Sequence, residues 1–172
     1  MENGITISEV TSMNAVMVEE LSDLLIRVVE DGAWIGFLAP VEEEEARIYW
    51  ESVTEISVMM FTASMAGKIV GTIQLHLAMK RNASHRAEIA KLMVHPDYRK
   101  RGIARLLMHT AEQRAVIEGR ALIVLDTRAG DLSNLLYQSM DYTEGGRIPH
   151  FAKSSNGSLD ETVLYYKLLT KE

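Results

Sequence analysis

The chain has 172 residues, 47% of them hydrophobic and 24% charged, with no cysteine and a formal net charge of −6. That composition suits one ordinary globular domain; it excludes disulfides and any thiol nucleophile, and its acidity argues against a nucleic-acid partner, which demands a basic footprint. Met1 is followed by polar residues, and no stretch approaches the roughly 20 apolar residues of a membrane span, so no signal peptide and no membrane partner are expected and a cytoplasmic location is.

Residues 4–10 read as a short strand. Thr11 or Ser12 is placed to cap a helix, in which Met17, Leu21, Leu24, Leu25 and Val28 share one apolar face. Asp31-Gly32 ends it. A second helix is expected over about residues 41–53. Its acidic run, Glu42 to Glu45, reads as carboxylates at the positive end of a helix dipole; an amine-attracting rim is the sharper alternative. Val58–Ser64 and Lys68–Met79 are two β-runs around a tight turn at Ala66-Gly67. In the second, Ile69, Gly71, Ile73, Leu75, Leu77 and Met79 alternate with Thr72, Gln74 and His76, the period of a half-buried antiparallel strand. A polar loop at 80–85 leads to a third strand, Arg86–Val94, which breaks at His95-Pro96-Asp97. A helix follows over about 102–118, with Ile103, Leu106, Leu107 and Ala111 on its apolar side. Leu122–Leu125 is a continuous apolar strand of the kind buried on both faces. A short helix over about 132–139 and a last strand, Thr162–Leu169, complete the chain. No repeat and no linker interrupts it, so residues 1–172 form a single domain. The strands of 58–79 should form a hairpin, and 86–94 and 121–127, joined through a helix, should lie parallel. The fold class is α/β, a mixed sheet with helices on both faces.

The most informative segment is Arg99-Lys100-Arg101-Gly102-Ile103-Ala104, set between a strand and a helix. A helix start offers several amides with no intrahelical partner, and the macrodipole favours anions there. Gly102 removes the Cβ that would keep a phosphate off the backbone, and Ala104 is the next smallest choice. Arg99, Lys100 and Arg101 add positive charge in an otherwise acidic protein. The ligand implied is a diphosphate held mainly by backbone. The pattern is neither the three-glycine dinucleotide fingerprint nor a phosphate loop ending in Gly-Lys-Ser/Thr.

These six residues resemble the Arg/Gln-x-x-Gly-x-Gly/Ala motif of the GNAT superfamily of N-acetyltransferases. The lead-in Val94-His95-Pro96-Asp97-Tyr98 and the pair Leu136-Tyr137 follow in the same order, with best coverage from about 86 to 142. Within the superfamily the chain most resembles the tabtoxin-resistance type, through the segments Asp31 to Phe37, Ala87 to Val94, Leu125-Asp126-Thr127 and Ala129-Gly130. The resemblance implies the GNAT acyl-CoA N-acyltransferase fold with acetyl-CoA (coenzyme A) as cofactor. It implies direct acetyl transfer to a primary amine of a small molecule, such as an amino-acid-like toxin or antibiotic. A protein lysine or N-terminus as acceptor, or a non-catalytic acyl-CoA-binding module, are the alternatives, and a homodimer is open because the family is often dimeric. It further implies that backbone groups of Leu92, Met93 and Val94 hold the pantetheine arm, and that the acceptor pocket comes from the regions near 30–50 and 145–160. Two departures stand out. Gly130 occupies the place of an Asn that contacts the cofactor in many members, and Asp141-Tyr142 replaces a common Gly-Phe.

Acetyl transfer from a thioester needs an amine that loses its proton, a donor for the carbonyl oxygen and an acid for the departing thiolate. Tyr137 matches the family's acid, and a phenol with a reference pKa of about 10 keeps its proton at neutral pH; the plainer alternative is a tyrosine anchoring the short helix. Glu88 is a candidate base. By alternation it shares a face with Ala90 and Leu92, where burial would raise its pKa, although an ion pair with Arg86 or Lys91 explains it equally well. Asp126, at the end of an apolar strand where ligands of α/β sheets sit, is the rival base or an anchor for the substrate ammonium; capping the next loop is its plainer role. Trp34 and Phe37 are candidate walls of the acceptor site, against the commoner fate of core packing. His95, His109 and His150 have no metal-binding spacing, so no metal is assigned.

Overall fold

The computed structural model describes residues 4–169. In chain order the elements are β1 (Ile5–Glu9), α1 (Ala15–Glu30), α2 (Glu43–Ser52), β2 (Val58–Met65), β3 (Lys68–Leu77), β4 (Arg86–Val94), α3 (Ile103–Ile117), β5 (Leu122–Arg128), α4 (Ser133–Ser139), β6 (Thr143–Lys153) and β7 (Leu159–Leu168). The strands make one seven-stranded sheet in the order β1-β2-β3-β4-β5-β7-β6. Only β4 and β5 run parallel, as their connection through α3 requires.

Each face of the sheet carries its own core. On one face α3 and α4 cover Ile73, Leu75, Ala87, Ile89, Ile123 and Leu125, together with Tyr137 and Tyr165. On the other, α1 and α2 bury Leu21, Leu25, Val28 and Trp50 with Met60, Ile69 and Met93. This double cover corrects the half-buried reading of β3: every residue from Ile69 to Leu75 is buried, Thr72 and Gln74 included. Gly71 shows how tightly α3 sits. A Cβ there would meet the Met93 carbonyl oxygen at 3.0 Å and side-chain carbons of Ile103 and Leu107 at 3.1 and 3.2 Å.

Other expectations shift in detail. The cap of α1 is Asn14, whose side chain accepts from the Met17 amide at 2.9 Å, rather than Thr11 or Ser12. On α3, Leu106 is exposed, and Met108 and Ala115 complete the buried stripe in its place. Strand β5 is fully buried on the α3 side alone, through Ile123, Leu125 and Thr127; Leu122 and Val124 are half-exposed on the other. Strand β6, where variable loop was expected, pairs with β7 as an exposed edge. Its two register shifts, at Glu144/Gly146 and Ile148/Ala152, erase the alternation that would have marked it. Glu42 to Glu45 lie exposed at the start of α2, with Glu44 paired to Arg47, so the solvated helix start holds. Asp141, at the departure from Gly-Phe, has φ 64, a conformation in which glycine is the usual occupant and aspartate is tolerated.

Candidate active site

The cofactor half of the site begins with the turn before α3. Gly102 is the N-cap of that helix with φ 80 and makes no side-chain cap bond, and Lys100 also has positive φ, 60. The first amide of α3 to reach a backbone acceptor is that of Leu106, on the Gly102 carbonyl at 3.0 Å. Among the described residues, the amides of 100 to 105 donate to nothing. These unpartnered N–H groups at the positive end of a 15-residue helix fit a diphosphate. The basic side chains are partly engaged elsewhere. Arg99 is ion-paired with Asp31, and the Arg101 guanidinium lies 5.5 Å from the centre of the Tyr98 ring.

The second element is a bulge in β4. Thr72 faces Met93 and Gln74 faces Ala90, so Lys91 and Leu92 together oppose Ile73. The extra residue is Lys91, at φ 54. A bulge bends its strand and resets the alternation. Leu92 and Val94 therefore pack toward the α3 side and Met93 toward α1 and α2, which corrects the shared face assigned to Glu88 and Leu92. The bend also ends the parallel ladder. Pairing between β4 and β5 stops at Glu88–Val124, although β4 continues to Val94 and β5 to Arg128. A cleft opens there, and the edge of β4 that carries the backbone of Leu92, Met93 and Val94 is without a strand partner on that side.

Side chains from several elements converge on this cleft. Tyr137, on α4, is buried against Tyr142 and Tyr165, with ring centroids 5.9 and 5.7 Å away. Burial first, and then the charge of Asp126, push its pKa above the ordinary phenol value. Its hydroxyl has no hydrogen-bond partner among the described residues, the neighbouring Gln138 and Asn134 being bonded to Tyr165 instead. Helix α4 is pinned to the end of β5: Thr127 Oγ1 and Ser133 Oγ are 2.6 Å apart, and Asn134 Nδ2 donates to the Arg128 carbonyl at 2.9 Å. Asp126 is exposed and accepts from Thr162 Oγ1 at 2.9 Å. Glu88 is also exposed, so the burial expected of it is absent, and among the described residues it has no ion pair with Arg86 or Lys91. Both carboxylates act on Lys91, whose pKa is lowered by burial and held up in part by Asp126 and Glu88.

Lys91 is the half-buried cation that the alternation argument passed over. Its Nζ donates to the Ile35 carbonyl at 2.6 Å and stands 5.7 Å from the Phe37 ring centre and 5.9 Å from that of Tyr49. It thereby holds the loop of residues 31–40 over the cleft. Arg128 helps, donating to the Gly32 carbonyl at 2.9 Å, and Arg99 holds Asp31. Phe37 packs edge-on against Tyr49 at 5.1 Å and Trp34 against Phe151 of β6 at 6.1 Å, both half-buried. A lone lysine inside an apolar strand was the available sign; the bulge that gives it meaning was not visible. No cluster of three or more metal-ligating side chains occurs among the described residues, and none of their helices is long and apolar enough to cross a membrane.

Comparison with known proteins gives this geometry its place. An N-acetyltransferase encoded in the hisH-hisA intergenic region of Azospirillum brasilense is 27% identical over 127 residues, 72% of this chain and 76% of that protein. The structure of YncA, a candidate acetyltransferase from Salmonella typhimurium solved with acetyl-CoA, superposes with a TM-score of 0.79 at 15% identity, covering 99% of this chain and 96% of that one. A candidate phosphinothricin N-acetyltransferase matches with a TM-score of 0.78 at 16% identity, over 97% and 99% of the two chains. The model of the acetyltransferase (GNAT) family matches residues 26–142, more than half of the sequence. With its unpartnered amides before α3 and its sheet opened at β4 and β5, the chain belongs to the GNAT family, as an N-acetyltransferase that uses acetyl-CoA as acetyl donor.

Proposed function

We propose that this enzyme acetylates a primary amine of a small, amino-acid-like molecule, with Tyr137 as the acid and the carboxylates of Glu88 and Asp126 as the groups that draw in the ammonium and supply the base. The observation that carries this reading is the convergence of Tyr137, Asp126, Glu88 and Lys91 on the cleft where the β4–β5 ladder ends. Acetyl-CoA supplies the thioester. The residues that would hold it are the unpartnered amides of Lys100 to Ala104 for the diphosphate, with Arg99, Lys100 and Arg101 adding charge, and the free β4 edge at Leu92, Met93 and Val94 for the extended arm. Tyr137 keeps its proton well past neutral pH, because burial and the nearby Asp126 charge both oppose the phenolate. It is therefore a standing donor for a departing thiolate.

The acceptor side is tied down. The 31–40 loop is fastened by Lys91 and Arg128, and the Ala39 amide donates to Ser155 Oγ at 2.9 Å across the β6–β7 turn. Trp34 and Phe37 line it, and a cover so fastened suits a compact amine better than an extended peptide. The structural similarity to a candidate phosphinothricin N-acetyltransferase and the resemblance to the tabtoxin-resistance type point to the same acceptor class, an amino-acid-like toxin. The test is a mass-shift screen with acetyl-CoA against the standard amino acids, phosphinothricin, simple alkylamines and a lysine-containing peptide. A +42 Da product from an amino-acid-like amine supports the proposal; acetylation of the peptide alone would refute it. Light scattering tests the homodimer.

A further inference from the structure

The floor of the cleft holds one more group with the chemistry of a base. His76, on β3, stands in register opposite Glu88 on β4 and is half-buried on the face that carries Lys91. Its Nε2 lies 2.9 Å from Gln74 Oε1. Gln74 is 1% exposed, and its amide Nε2 donates to Tyr49 Oη at 2.9 Å. With the carboxamide oriented this way, its oxygen can only accept, so the imidazole donates from Nε2 and its lone pair rests on Nδ1. Among the described residues Nδ1 has no partner.

The charged and titratable surroundings are Glu88 and Lys91 from β4, Glu55 from the approach to β2 and Tyr49 from α2. Burial is the largest influence and lowers the pKa of His76; Glu88 and Glu55 oppose it, and Lys91 adds to it. Burial thus favours the neutral ring. A neutral imidazole is a better proton acceptor than a carboxylate, with reference pKa values of about 6.5 against about 4.

We propose that the Nδ1 lone pair of His76 takes the proton from the acceptor ammonium, while Glu88 and Asp126 hold its positive charge at the mouth of the β4–β5 cleft. The N–H bond breaks, its electron pair stays on the amine nitrogen as the attacking lone pair, and the proton rests on the imidazolium until it passes to water beside the exposed Glu88. The assignment rests on the acetyltransferase reading above and narrows its base from a carboxylate to the imidazole.

Two measurements on the full chain test it. Long-range 15N–1H NMR of the histidine rings, with and without coenzyme A, should show His76 as the neutral Nε2–H tautomer at pH 7, titrating below an ordinary histidine. A charged ring at pH 7, or an Nδ1–H tautomer, overturns the proposal without reference to any acceptor. In parallel, H76Q, with coenzyme A affinity by calorimetry and melting temperature as controls, should lose about 100-fold in kcat/KM for the best amine of the screen. The acid limb of its pH profile should vanish, and added imidazole should restore part of the rate of H76A. E88Q should keep the acid limb and raise KM for the amine. An H76Q profile that keeps the limb while E88Q loses it returns the role to Glu88. A wild type that binds coenzyme A and acetylates no amine defeats the acceptor reading and this one with it, whereas an active wild type with an unchanged H76Q defeats only His76.

Discussion

The two halves of the site are built by different means. The proposed phosphate-binding half is contiguous: a six-residue turn and the first amides of α3, whose unpartnered backbone groups are the proposed holders, with Gly102 leaving the approach open. The proposed acceptor half draws on distant pieces, with His76 from β3, Glu88 and Lys91 from β4, Asp126 from β5, Tyr137 from α4 and the 31–40 loop tied to Lys91. A backbone site tolerates change in its side chains as long as the turn forms. A side-chain site depends on each member and on whatever aims it.

Mutations put that contrast to the test. The largest effect is expected at Tyr137→Phe, which should lower kcat by about 100-fold while calorimetry finds coenzyme A affinity unchanged; an unaltered kcat removes the acid assignment. For the same reason, the wild-type kcat should show no alkaline limb from this phenol up to about pH 10, because burial and Asp126 hold its proton on.

Next comes Gly102→Val. A β-branched residue at φ 80 is an outlier, and a strain of about 1–2 kcal/mol should weaken coenzyme A binding about tenfold, with kcat at saturating cofactor little changed. Lys91→Met should do the reverse. It removes the donor that holds the Ile35 carbonyl, so KM for the amine should rise several-fold and the melting temperature fall by about 2–4 °C for a loss of about 1 kcal/mol. Coenzyme A affinity should stay as it was.

The smallest effect is expected at Arg99→Ala. Its partner Asp31 already occupies it in an exposed pair, worth about 0–1 kcal/mol. Calorimetry should find coenzyme A weakened by less than about fivefold. A loss of a hundredfold would mean that the cations, and not the amides, hold the diphosphate.

The phosphate half was legible because its signal is local. A strand, a break at His95-Pro96-Asp97, a cationic turn and Gly102 before an amphipathic helix can be read without knowing any other part of the chain. The acceptor half was legible only in fragments. Tyr137, Glu88 and Asp126 were named as candidates, but the burial expected for Glu88 is missing, because neither core reaches its side chain. Strand β6 was hidden because its register slips twice, and an exposed edge strand needs no hydrophobic alternation.

The α/β class, the parallel contact of β4 with β5, the unpartnered helix start proposed for a diphosphate and the membership in an acetyltransferase family could all be read from the chain alone. Each follows from local periodicity, chain connectivity or a short contiguous motif. Packing in three dimensions settled where the sheet opens, which face Leu92 takes, that Lys91 binds the Ile35 carbonyl and that His76 stands across from Glu88. Those depend on one extra residue in β4, with Lys91 at φ 54, and a non-glycine bulge is set by packing from both faces of the sheet, which no single stretch of chain encodes.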